Sequence, residues 1–122
     1  MKKLSKFLQF DFGSFVEGKA FEISEIKPHY VYENGERKDS DGITIGIVIV
    51  KDDTDYDDDL ITNKYEKFNV KCLGVGLDQV KAKFSLGDNV QFIQYKKAVV
   101  YGNYRNQLSV EIGNLDSLKV VN

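Results

Sequence analysis

Isoleucine recurs at every second position through Ile43, Ile45, Ile47 and Ile49, the clearest periodic signal in the chain. A period of two places one set of side chains on a buried sheet face, so this stretch predicts a strand. Val48 and Val50 make its opposite face apolar too, which points to cover by another segment or a second subunit. Gly46 interrupts that face and predicts a bend or a close backbone approach. Upstream, Phe21 and Ile23 alternate with Glu22 and Ser24, and the strand is expected to end near Lys27, before Pro28. Beyond the proline, Tyr30 and Tyr32 fall on one side and His29 and Val31 on the other, and Asn34-Gly35 signals a tight turn. Phe68, Val70 and Cys72 alternate with Lys67, Asn69 and Lys71, with Tyr65 in register with the lysines.

Gly74-Val75-Gly76 breaks this pattern, and Leu77, Val80 and Phe84 then follow helical spacing. Val90 and Phe92 point inward in the next strand. A long hairpin through Tyr95 to Asn106 leads to Leu108, Val110 and Ile112, and Leu115 to Val121 closes the chain. The predicted order is strand, long strand, strand, short helix, strand, strand. An all-β, five-stranded Greek-key barrel with its helix between strands three and four is the OB fold. At 122 residues the chain is expected to form one domain, residues 1–122, with an N-terminal extension over 1–14 and an acidic loop over 51–64. In the extension, Leu4, Phe7 and Leu8 could share a helical face, while Phe10 and Phe12 alternate as in a strand; the segment reads as docked on the domain or as a subunit contact.

Charge modifies this picture in one place. The formal net charge is −2, but Asp52, Asp53, Asp55, Asp57, Asp58 and Asp59 lie within eight residues. Without them 13 acids face 17 bases, so the remainder is +4. The aspartate run reads as a solvated loop. A calcium loop starting at Asp53 would need glycine sixth and glutamate twelfth, where this chain has Asp58 and Lys64.

Five of the seven tyrosines sit in two segments that interleave them with cations: 27–38, with Lys27, Tyr30, Tyr32, Arg37 and Lys38, and 95–106, with Tyr95, Lys96, Lys97, Tyr101, Tyr104 and Arg105. Aromatic faces stack on bases and adjacent cations follow phosphates, a mixture suited to single-stranded nucleic acid. Tyr65, Lys67 and Lys71 form a third patch of the same kind. In an OB barrel, strands two and three and the first and last hairpin loops form the binding face, and the three patches map onto those elements. His29, opposite the tyrosines, is expected to pack or cap.

No nucleophile elbow, lysine-bearing phosphate loop or histidine-rich motif is present, and Gly74-x-Gly76 alone is too weak for a nucleotide site. No enzymatic activity and no cofactor are expected. Cys72 and His29 cannot complete a zinc site, and one cysteine excludes an internal disulfide. A reducing, cytoplasmic setting is the expectation, since the basic N-terminus builds no secretory apolar run and no stretch is long enough to cross a bilayer.

The patterns Tyr30-x-Tyr32-x-Asn34-Gly35-x-Arg37-Lys38, Tyr65-x-x-Phe68-x-Val70-x-Cys72, Phe84-x-x-Gly87-Asp88-x-Val90-x-Phe92 and Leu108-x-Val110-x-Ile112 together resemble phage and mobile-element single-stranded DNA-binding proteins of OB fold, including small ones from lactococcal phages. The resemblance covers most of residues 15–121 as a layout. It implies sequestration of single-stranded DNA in replication or recombination by a homo-oligomer, in the host cytoplasm if phage-encoded, with replication or recombination proteins as possible partners. It also implies that Tyr30, Tyr32, Arg37, Lys38, Tyr65, Lys67, Lys71, Tyr101, Tyr104 and Arg105 face DNA; the residue pattern adds Lys27, Lys96 and Lys97 as phosphate contacts. The end of the chain, Asp116 to Asn122, lacks the acidic tail common in bacterial relatives, so recruitment through such a tail is not expected. Two other readings use the same barrel: a protein-interaction or virion-assembly module, and an RNA-binding protein.

Overall fold

A computed structural model describes residues 1–2, 10–104 and 106–121. The expected face of Leu4, Phe7 and Leu8 lies outside these residues, as does Arg105. The elements are α1 (Phe12–Val16), β1 (Lys19–Glu33), β2 (Glu36–Asp52), β3 (Lys67–Leu73), α2 (Leu77–Lys83), β4 (Asn89–Phe92), β5 (Lys97–Tyr101), β6 (Gln107–Ile112) and β7 (Leu118–Val121), the last preceded by a 3-10 turn at Leu115–Ser117. All seven strands form one sheet in the order β5-β6-β3-β2-β1-β4-β7. Every pairing is antiparallel except β3 with β6.

This order forces the sheet to curl. Laid flat, β4 and β5 would be five strand spacings apart, about 24 Å at about 4.8 Å each. The chain from Phe92 to Lys97 can reach only about 18 Å fully extended. The sheet is accordingly a strongly curled half-barrel. The isoleucine stripe of β2 lines its inside with Phe21, Ile23, Phe68, Val70, Val110 and Ile112, all buried. Val80 of α2 and Phe84, which caps its C-terminal end, join this core, as the helical spacing predicts.

The sheet has seven strands where the sequence pattern predicts five. The expected fourth strand is split at Ile93–Lys96, where backbone partners change sides: Ile93 N donates to Ser117 O at 2.8 Å and Lys96 N to Glu111 O at 2.8 Å. The closing segment pairs along β4, from Phe92 opposite Leu118 to Asn89 opposite Val121. Nor does β1 end at Pro28. Beyond Ile23 only β2 flanks it in the sheet, and on such an open edge a missing N–H is tolerated.

A second helix, α1, replaces the expected alternation of Phe10 and Phe12. Asp11 caps it, accepting from Ser14 N at 3.1 Å and from Ser14 Oγ at 2.6 Å. These two bonds, the side-chain one first, hold the Asp11 carboxyl below its usual range. The cap turns Phe12 into the core, so the C-terminal part of the predicted extension belongs to the fold.

Two glycines of β2 permit close approach. At Gly46 the β1 bulge between Ile23 and Glu25 presses against the strand: a Cβ there would lie 3.0 Å from Glu25 Cβ and 3.3 Å from Ser24 Oγ. At Gly42 the backbone of β3 is nearer still, with Leu73 Cα 2.7 Å from an added Cβ and the Cys72 carbonyl in contact. Gly42→Ala is therefore expected to destabilise the protein by about 1–3 kcal/mol through overpacking, seen as a lower urea midpoint with unchanged slope.

Candidate nucleic-acid interface

Residues directly opposite in a ladder share a sheet face, so the register assigns the outer surface row by row. One row runs Lys27, Thr44, Lys71, Glu111, Lys97. The next runs Glu25, Gly46, Asn69, Ser109, Val99. A third places Glu22, Val48 and Lys67 in line, with Tyr101 opposite Gln107 at the same end of the sheet. Lys27, Lys67, Lys71, Lys97 and Tyr101 thus occupy one outer face.

The lysines differ in their freedom. Glu111, with its side chain 15 % exposed, holds Lys71 at 3.7 Å and Lys96 at 3.2 Å and faces Lys97 across the ladder. Three cations around one carboxylate leave this cluster net positive. Lys27 lies 3.6 Å from Glu25. Lys67 shapes a groove of about 380 Å³ with Asn69, Tyr101, Asn106 and Gln107. Asn106 and Gln107 were not among the predicted contacts, since two turn-proximal amides carry no periodic or charge signal.

The first hairpin continues past the sheet. β3 stops where Leu73 pairs with Gly42, and 30–40 extends as a two-stranded arm. Asn34 and Gly35 turn it with φ of 51° and 80°, both left-handed as a two-residue hairpin requires. Register shifts on either side of Tyr30 break the simple alternation expected there. Tyr30 is half-buried, with the Arg37 guanidinium 4.4 Å above its ring, whereas Tyr32 is 66 % exposed. Lys38 pairs with Glu36 at 3.4 Å. Glu33, Glu36 and Asp39 outnumber Arg37 and Lys38, so the arm is slightly acidic overall. At its base His29 Nδ1 meets Asp41 Oδ1 at 2.6 Å, and that bond is the main cause holding the Asp41 carboxyl low.

The patches occupy opposite ends of the outer face. Gly42, at the arm, and Val48, opposite Lys67, are six steps apart along β2, a distance of about 20 Å. The 102–106 turn belongs to the Lys67 end, because β6 runs parallel to β3. Tyr104 is 86 % exposed there. Tyr65 precedes β3 instead of extending it: its φ is 73°, its N–H donates to Ile49 O at 2.6 Å, and Lys64 Nζ lies 5.0 Å over its ring. A left-handed tyrosine is a strained one. Here the strain coincides with 69 % exposure of the ring.

The acidic loop is organised from within. The Asp52 carboxylate is shut away from solvent and lies 3.4 Å from the equally shielded Nζ of Lys19. It accepts from Thr54 N at 3.1 Å, Tyr56 Oη at 2.8 Å and Asn63 N at 2.7 Å. Burial opposes its ionisation, but these bonds outweigh it and hold the carboxyl far below its usual range. The first residue of the predicted solvated run is therefore a structural anchor.

Cys72 packs as a small hydrophobe on the inner face, where burial and then Glu111 raise its thiol pKa. Among the described residues no group of three or more His, Cys, Asp and Glu side chains could hold a metal ion, and no helix is long and apolar enough to cross a membrane. The chain matches no protein-family model, no curated protein and no solved structure.

Proposed function

We propose that the protein binds single-stranded DNA without marked sequence preference, across the outer face of an OB-type barrel. The observation that carries this reading is the shared face of Lys27, Lys67, Lys71, Lys97 and Tyr101, with the groove beside Lys67 and Tyr101 at one end. The strand order supports the OB assignment: β1 lies between β2 and β4, β3 runs parallel to β6, and α2 falls between β3 and β4. Tyr101, Tyr104 and Tyr65 supply exposed rings for stacking at the groove end; Tyr32 supplies one on the arm.

Titrating the protein with an unstructured thymine oligomer tests the reading. Tyrosine fluorescence reports the contact directly because the chain has no tryptophan. Affinity should fall with salt at a slope of about −0.7 per phosphate neutralised, and Lys67→Ala should lower that slope by about one such increment. Tyr101→Ala should cost about 1–3 kcal/mol of binding. Absence of salt-sensitive quenching at micromolar protein would refute the proposal, and preference for a matched RNA oligomer would reassign the ligand. A second reading, a protein-interaction module, is favoured by the arm, whose acidic charge and exposed Tyr32 suit a polypeptide better than a phosphate backbone.

A further inference from the structure

Beside the groove at the Lys67 end lies a cavity of about 390 Å³, within the range of small-ligand pockets. Its inner walls are Phe15, Phe68, Val100 and Leu108, all buried or half-buried. Glu66, Lys67, Asn106 and Gln107 line it too, but they are exposed and also line the adjacent groove with Tyr101, which places one carboxylate, one ammonium and two amides at the mouth. Val100 stands directly opposite Leu108, and Tyr101 opposite Gln107. The β5–β6 ladder therefore sets an apolar pair inside the cavity beside an aromatic–amide pair outside it. The side-chain amides of Asn106 and Gln107 are exposed, and each offers two donors and an acceptor.

We infer that this cavity admits one nucleobase of the bound strand, whose polar edge is read by the amides of Asn106 and Gln107. The inference rests on the DNA-binding reading above and deepens it: the pocket adds a base preference at one nucleotide to outer-face stacking that is otherwise indifferent to base identity. A planar base is apolar on both faces and polar along its edge, matching aromatic and aliphatic walls with two amides at the mouth. Lys67, common to groove and cavity, is placed to hold the phosphate next to the inserted nucleotide.

The test uses the full chain and two probes of equal length, a thymine oligomer and a fully abasic deoxyribose-phosphate oligomer, both at low salt. Asn106→Ala with Gln107→Ala should weaken thymine binding about tenfold, equivalent to about 1.4 kcal/mol, and leave abasic binding within about twofold. Leu108→Phe, which fills the cavity without altering charge, should reproduce that pattern with an unchanged salt slope; thermal melting checks its fold. Equal losses on both probes, or no loss on either, would overturn the base pocket while leaving DNA binding intact. Failure of the unaltered protein to bind either probe would instead remove the DNA-binding reading, and the pocket with it.

Discussion

Asp52→Asn is expected to destabilise the protein by about 3–5 kcal/mol, the cost of leaving the Lys19 ammonium buried without its counter-charge. Both side chains are shut away from solvent, at 1 % and 0 % exposure. Lys19 Nζ also donates to Phe15 O at 2.8 Å and Thr54 Oγ1 at 2.7 Å, and it lies 4.4 Å from the Phe15 ring. One ammonium thus ties the end of α1 to the start of the acidic loop. Lys19→Met with Asp52→Asn removes both charges together while keeping a side-chain oxygen for the Thr54 and Asn63 N–H groups, and should recover part of the loss, because the pair must be desolvated to form. The pH dependence follows from the lowered carboxyl. Asp52 contributes its full stabilisation above the ordinary aspartate pKa of 3.8 and loses it as pH falls through the lower folded value. Urea midpoints measured from pH 6 down to pH 2 should fall steeply below about pH 4 in the unaltered protein. The uncharged double variant should show a shallower fall; parallel curves would contradict this assignment.

Phe68→Ala should cost about 3–5 kcal/mol, as for large-to-small changes at packed aromatic positions. Phe68 joins four elements: its ring centroid lies 6.2 Å from Phe15 of α1, 5.9 Å from Phe21 of β1 and 6.1 Å from Phe92 of β4. Edge-to-face geometry at Phe15 and Phe21, with interplanar angles of 79° and 90°, adds to the buried area. Phe68→Leu keeps much of the volume and should cost distinctly less. A thermal melt of the alanine variant within 2 °C or so of the parent would show that the cluster contributes little.

Several elements were legible because their signal is local. The alternation of β2 and β3, the spacing of Leu77, Val80 and Phe84, and the Asn34-Gly35 turn each depend on neighbours within a few residues. The helix α1 was less legible, since a five-residue turn rests on one capping aspartate and not on a sustained period. The break between β4 and β5 and the strand β7 were hidden because they depend on which distant backbone groups accept hydrogen bonds. Pro28 marks a strand end in most contexts; here the open edge of β1 lets the strand run through it.

The candidate site divides along the same line. Residue types alone singled out the tyrosine and lysine segments, and alternation alone put Lys67, Asn69 and Lys71 on one face of β3, since both follow from covalent order and a period of two. Which side chains then become neighbours was decided by the register of the curled sheet. It set Lys71, Lys96 and Lys97 around Glu111, brought Lys67 to Tyr101 and Gln107, and moved the Tyr32 arm to the far end. It also took Asp52 out of an apparently uniform acidic run and buried it against Lys19. Periodicity specifies which way a side chain points. The partner it meets there, and whether water is excluded between them, depends on long-range pairing that no local pattern encodes.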